Sequence, residues 1–262
     1  MRKTDQNTTD LGGMEWKMKI LGIDSSGLVA GIAVVEDEIL LAEYNINYKK
    51  THSQTLLPML DEVRSMLELD LDSIDAIAVA SGPGSFTGLR IGSATAKGLG
   101  LALDKPIVEV PTLEGLAYNL CGVEGWVCPL IDARRNQVYS GIYEFDQNEL
   151  RIVEAQCAAD VSYMIEKINE LGDNEPGRRV ILLGDGVPVY REQLEKGIRI
   201  PYLFASPANS RQRAASVAAL GAVYYAAGRT VTAAAHKPEY LRQSQAERER
   251  EERADESGNG SD

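Results

Sequence analysis

Ile20-Leu21-Gly22-Ile23-Asp24, followed by the apolar stretch Val29 to Val35, returns in the second half of the chain as Cys128-Pro129-Leu130-Ile131-Asp132, followed by Val138 to Phe145. Each copy reads as a strand ending in Asp, a short polar turn and a second strand. Glu36-Asp37-Glu38 in the first copy and Asp146-Gln147-Asn148-Glu149 in the second then lead into a third strand, so the repeated unit is a three-stranded meander. A helical stripe follows each meander: Leu56, Leu60, Val63 and Leu67 within Ser53 to Leu69, and Val161, Ile165 and Ile168 within Val161 to Leu171. Each half continues with a buried strand, Ala76 to Ala80 or Val180 to Leu183, and a glycine turn.

This pattern predicts an α/β chain of two similar halves facing one another across a cleft. That is the duplicated fold of actin, Hsp70 ATPase domains and sugar kinases, the ASKHA or ribonuclease H-like class. The first half spans 18–111, completed by a helix at 211–230, and the second spans 112–210. In ATP-using members the hairpin carboxylates orient magnesium and the turns hold phosphates. The matching cleft loops here are Asp24, Ser25, Ser26, Gly84 and Ser85 in the first half and Asp132, Arg134, Gly184 and Gly186 in the second. The alternative is that both Asp residues close Asx turns and bind nothing.

The run Ser81-Gly82-Pro83-Gly84-Ser85-Phe86-Thr87-Gly88-Leu89-Arg90-Ile91 reads as the end of a strand, a glycine turn and a helix start, whose free N–H groups suit an anion. It fits neither common phosphate loop. The third glycine of a dinucleotide fingerprint falls one residue late, at Gly88, and Leu89 stands where a P-loop needs lysine.

Composition sets further bounds. A chain of 262 residues with 44% hydrophobic content buries a substantial core. Three cysteines, Cys121, Cys128 and Cys157, lack Cys-x-x-Cys spacing and fit reduced thiols. The N-terminus shows no secretory leader, and Ala214 to Gly228 is too short to span a bilayer. A net charge of -12 opposes an extended nucleic-acid surface, and -9 of it remains without residues 242–262. The charged segment 243–262 lacks an apolar face and predicts disorder, with a frayed helix as the alternative.

With Ile20 to Ser26, Thr51-His52-Ser53, the run Ser81 to Gly92, Pro111-Thr112-Leu113, Ile131-Asp132-Ala133-Arg134 and Pro238-Glu239-Tyr240-Leu241-Arg242, the sequence resembles the TsaB family over about residues 18 to 245. Residues 1–17 precede that family's usual start. The resemblance implies a cytoplasmic, non-catalytic partner of TsaD in making N6-threonylcarbamoyladenosine at position 37 of tRNAs that read codons starting with A. It also implies recruitment of the ATPase TsaE, ATP used by the complex rather than held by this chain, and tRNA engaged mainly through other subunits. The metal-bearing relative TsaD carries a His-x-x-x-His pair. Here only His52 and His236 exist, so no metal site and no metallopeptidase activity are expected. Ser25, Ser26, Ser85 and Thr87 lack a histidine partner or a Gly-x-Ser-x-Gly elbow and suit turns and caps better than nucleophilic roles. Arg134 and Arg135 after the second hairpin Asp either face a phosphate or are solvated. A small-molecule kinase of the same superfold is the competing function.

Helices Ser53 to Leu69 and Thr87 to Leu103 are the expected docking face for TsaD, and for a homodimer in its absence, through Leu56, Leu60, Phe86, Gly88, Gly92, Ala96 and Gly100. The last four recur every fourth residue and leave a groove nearly free of side chains. The alternative is that this stripe packs on the protein's own sheet.

Overall fold

The computed structural model describes residues 17–48 and 52–241. Thr51, Arg242, residues 1–16 and the segment 243–262 lie outside the described residues. Strands β1 (Lys19–Asp24), β2 (Val29–Glu36) and β3 (Ile39–Asn47) form an antiparallel meander. Helix α1 (His52–Leu67), β4 (Ala76–Gly82), α2 (Phe86–Leu103) and β5 (Ile107–Pro111) follow, with β4 and β5 added parallel to β1. The sheet order is β3-β2-β1-β4-β5.

After the short helix α3 (Thr112–Ala117) the pattern recurs. Strands β6 (Trp126–Arg134), β7 (Gln137–Asp146) and β8 (Glu149–Asp160) form the second meander. Then come α4 (Val161–Asn174), β9 (Val180–Leu183), α5 (Gly186–Gly197), β10 (Tyr202–Phe204) and α6 (Ala214–Ala226). The second sheet, β8-β7-β6-β9-β10, has the same order and the same parallel and antiparallel joins as the first. The chain therefore has the duplicated ASKHA-type fold that the repeat predicts.

Each central strand is covered on both faces, which is why β1 is an unbroken apolar run rather than an alternating one. Leu21 and Ile23 pack beneath α1 and α2 with Leu56, Met59, Leu60 and Ala96. Ile20 faces α6 with Ala214, Val217 and Ala218. Helix α6 lies so near the sheet that a Cβ on Gly22 would sit 2.5 Å from the Ala214 carbonyl oxygen, and one on Gly221 would sit 2.4 Å from Ala78 Cβ. Its small residues are the condition for that approach. Met164, Ile168, Tyr190 and Leu194 cover one face of the second sheet.

The connections interlock the halves. Helix α6 follows the second half in sequence but packs on β1, β2 and β4 of the first sheet. Leu113 and Leu116 of α3, with Leu120 just beyond it, pack instead against Val127, Ile131, Tyr143 and Leu183 of the second. Asn119 fastens the crossing: its side-chain amide donates to the Asn209 and Arg211 carbonyls at 2.9 and 2.7 Å, and its oxygen accepts from Ser216 Oγ at 2.6 Å. Arg213 then pairs with Glu43 of β3. Burial works to raise the Glu43 carboxyl, but hydrogen bonds from Arg213 and the Ala215 N–H outweigh it and hold the group below its ordinary value.

Glu114 of α3 is buried between the halves and accepts the Tyr224 hydroxyl of α6. Burial lifts its carboxyl above the ordinary 4.5, against the smaller opposing effect of that hydrogen bond. The folded protein thus retains the Glu114 proton to higher pH than the unfolded chain does. The group's contribution is intact below pH 4.5 and is lost as pH rises through the raised value. Urea midpoints measured from about pH 4 to 8 are expected to fall more steeply for the native protein than for Glu114→Gln, whose amide keeps the Tyr224 hydrogen bond. Parallel profiles would show that this carboxyl titrates as a free one does.

Candidate functional site

The β1–β2 hairpin turn is closed. Asp24 Oδ1 accepts the Ser26 N–H at 2.8 Å and the Ser26 hydroxyl at 2.7 Å, an Asx turn, and all three of Asp24, Ser25 and Ser26 are buried. Burial pushes the Asp24 carboxyl up despite both bonds. The glycine turn after β4 seals the hairpin from the other side. Ser25 Oγ donates to the Gly88 carbonyl at 2.8 Å, and the Ser85 N–H donates to the Ser26 carbonyl at 2.7 Å. Cβ atoms on Gly84 and Gly88 would lie 2.3 and 2.0 Å from the Ser26 and Ser25 carbonyl oxygens, and one on Gly92 would lie 2.4 Å from Ser25 Oγ. These glycines exist so that the helix start can lie on the hairpin. His52 Nε2 donates to the Gly27 carbonyl at 2.8 Å, so its imidazole is bound to backbone rather than to a serine.

Ser85 caps α2 by accepting the Gly88 N–H, and the helix begins at Phe86, one residue before the expected Thr87. The Pro238 to Leu241 segment crosses this start. The Glu239 N–H donates to the Ser81 carbonyl at 2.7 Å, Gly82 leaves room for the Glu239 carbonyl, and the Tyr240 ring lies 4.7 Å from that of Phe86. Arg90 stacks on the Phe86 ring at 4.0 Å. Upstream in this segment, His236 is buried with Nδ1 2.7 Å from Glu109 Oε1.

The β6–β7 hairpin is open. Arg134, Arg135 and Asn136 are exposed and follow one another at φ 63, 56 and 62°. For side chains other than glycine such left-handed residues cost about 1–2 kcal/mol each. Five hydrogen bonds hold them. Asp132 Oδ1 accepts the Arg134 N–H at 2.9 Å and the Tyr190 hydroxyl at 3.0 Å, and that hydroxyl also reaches the Gln137 carbonyl at 3.3 Å. The Asp132 N–H donates to Asp185 Oδ1 at 3.0 Å, and Gln193 reaches Asn136 at 3.4 Å. Gly184 and Gly186 pack beneath the strand, on the Leu130 carbonyl. Burial raises the Asp185 carboxyl, opposed by the Asp132 N–H and the Arg211 charge. Asp24 and Asp132 therefore share a register position in the repeat, but each is bound within its own half.

The small-residue stripe requires a correction. Gly88, Gly92, Ala96 and Gly100 do not line an open groove: all four are buried on the protein's own core, with Ala96 among Ile23, Val79 and Ile107 and Gly100 against Ala233. Leu56 and Leu60 are likewise buried under the sheet. The outward faces of the two helices present other residues. Leu57 (55% exposed), Met66 (76%) and Leu101 (65%) project from them. Ala94, Gly98 and Ala102 form a second stripe, offset by two positions, that is open to solvent. Nothing lies within 4 Å of the place where a Gly98 Cβ would be. Both stripes repeat every fourth residue, so spacing could not tell them apart; the polar residues flanking the outer one, Arg90 and Thr87, were the available sign.

Among the described residues no cluster of three or more His, Cys, Asp or Glu side chains could hold a metal ion, and no helix is long and apolar enough to cross a membrane. Cys128 is buried and its thiol is pushed up to about 12. The cleft loops thus offer one sealed turn and one braced, cationic turn.

Two such sheets, with the same strand order and the same parallel and antiparallel joins, define the duplicated ASKHA class. Residues 40–250 match the family model described as TsaD, tRNA N6-adenosine threonylcarbamoyltransferase. The chain is 34% identical over 232 residues, 88% of this chain and 96% of the relative, to the tRNA threonylcarbamoyladenosine biosynthesis protein TsaB of Bacillus subtilis. The Haemophilus influenzae protein of that name is 33% identical over 163 residues, 57% of this chain and 65% of the relative. A Pseudomonas aeruginosa crystal structure, of a protein described as similar to peptidase YeaZ, superposes with a TM-score of 0.73 at 28% identity, covering 86% of this chain and all of that one. The chain belongs to the TsaB family.

The two helical faces separate in a paired substitution. Gly88→Ala is expected to destabilise by about 1–3 kcal/mol, because its Cβ meets backbone. Gly98→Ala is expected to stabilise by about 1 kcal/mol, since it gains helix propensity in open space. Denaturant unfolding of the two variants checks both signs, and equal effects would contradict the burial assigned here.

Proposed function

We propose that this chain is the non-catalytic subunit of a complex that makes N6-threonylcarbamoyladenosine in tRNA, binding and supporting TsaD and recruiting TsaE in the cytoplasm. What carries the reading is similarity to a TsaB protein over 96% of that protein's length, combined with a first hairpin in which Asp24 Oδ1 and the Ser25 and Ser26 hydroxyls are bound within the chain. A turn in which Asp24 is buried and both Ser hydroxyls are committed offers no free hydroxyl to attack a carbonyl. The same closure counts against the small-molecule kinase. ATP is then used by the assembled complex, and no cofactor is held by this chain alone.

TsaD docks on the outward faces of α1 and α2, at Leu57, Met66 and Leu101 around the open Ala94–Gly98–Ala102 stripe. The Arg90–Phe86–Tyr240 stack lies at the N-terminal end of α2 and supplies the aromatic and arginine anchors usual at interface centres. A second copy of the chain occupies this face when TsaD is absent.

Co-purification with the cognate TsaD tests the reading. Leu101→Glu with Met66→Glu is expected to weaken capture at least about 30-fold, as loss of interface anchors does, with thermal unfolding unchanged because both side chains are exposed. Modification of tRNA is expected only when this chain is supplied with TsaD, TsaE and the enzyme that forms the threonylcarbamoyl adenylate. Transfer by this chain alone, or undiminished capture by the double variant, would overturn it.

A further inference from the structure

The two hairpins of the duplicated fold have diverged. The first is packed under a helix start, whereas the second stands free and carries two adjacent arginines at its tip. Elsewhere among the described residues Arg64, Arg151, Arg178, Arg191, Arg199 and Arg213 form ion pairs, Arg90 and Arg229 stack on aromatic rings, and Arg179 and Arg211 form no ion pair. The Arg134 and Arg135 side chains make no hydrogen bond or ion pair with any described residue.

Carboxylates do lie around the tip, and all but the exposed Asp160 are engaged otherwise. Asp132 is occupied by Tyr190 and the Arg134 N–H, and Asp185 by the Asp132 N–H. Glu192 and Glu195 on α5 pair with Lys196 and Arg191. Asp160 sits across the strands from Gln137, one step down from the tip. Three consecutive left-handed residues, held by Asp132, Tyr190 and Gln193, point the tip outward instead of letting the arginines fold back onto these acids. Such geometry persists only where its surroundings enforce it.

We infer that the Arg134–Arg135 tip contacts phosphate, and that the phosphate is the backbone of the tRNA on which the complex acts. The chemistry fits a fixed pair of forked donors whose charge is not spent internally. In a chain of net charge -12, two adjacent exposed arginines without ion pairs make a local cationic point. The inference rests on the proposed function, and it leaves the bulk of tRNA binding to other subunits.

The test uses the reconstituted complex of the full chain with TsaD and fluorescently labelled tRNA, titrated at several potassium chloride concentrations. Arg134→Ala with Arg135→Ala is expected to weaken tRNA binding about 5- to 20-fold at moderate salt. It should also reduce the slope of log affinity against log salt by roughly 1–2. Arg134→Lys with Arg135→Lys should restore most of the slope, and the paired Glu variant should bind worst. An unchanged slope in the Ala variant would overturn the inference, leaving both arginines merely solvated. Loss of ATP binding to the complex with tRNA affinity intact would place the phosphate on a nucleotide and overturn the tRNA assignment. Loss of TsaD capture by the Ala variant would mean an acidic protein surface and overturn it as well. Failure of the unaltered chain to capture TsaD, by contrast, would strike the proposed function itself.

Discussion

The contact between the Ser25–Ser26 turn and the backbone of Gly84 to Gly92 is the constraint from which the rest of the first half follows. Carbonyl oxygens of the hairpin occupy the space that Cβ atoms would take on the glycine turn and the first turns of α2. That fixes how α2 lies over β1 and β4, and thereby where Ala96 and Gly100 meet the core. It also fixes which side of α2 remains outside. A single Cβ in this contact would force the helix off the hairpin, and the energy at stake is that of a core overpacking rather than of a surface change.

The same contact sets the two halves apart. Two hairpins with equal places in a duplicated topology have opposite fates, because only the first is followed by glycines that let a helix start descend on it. Gly184 and Gly186 in the second half instead accommodate the Leu130 carbonyl one strand-step back, so the β6–β7 tip is left clear. Sealing the first turn seats the start of α2 on the β1–β2 hairpin. Helix α6 then ties the halves together, since it follows the second sheet in sequence and packs on the first, while α3, which follows the first sheet, packs on the second.

The architecture was legible in the residues because the repeat is written in strand length, terminal Asp and turn composition, all set by local backbone physics. β9 matches its expected limits of Val180 and Leu183, and the helix expected at 211–230 is α6, narrower at Ala214–Ala226. The orientation of α2 was not legible. Glycine and alanine every fourth residue state that something comes close, but they do not say whether it is the chain's own hairpin or another protein. Burial of His236 against Glu109 was also hidden, because it depends on the return of a segment far away in sequence to the edge of β5. The Arg134–Arg135 tip lay between these cases: the residues were visible, but their left-handed backbone and lack of partners emerge only in three dimensions.

The short motifs prove to be parts of one contact set rather than separate sites. Ile20 to Ser26 supplies the strand and its turn, the Ser81 to Gly92 run receives that turn, and the Thr112 hydroxyl accepts the Gly82 N–H at the end of β4. Pro238 to Leu241 then closes over the same run through Ser81 and Phe86. Each motif contains small or polar residues because each meets backbone of another at hydrogen-bonding distance, where a larger side chain has no room. The face that this contact set leaves outside runs along α2 from Arg90 to Leu101.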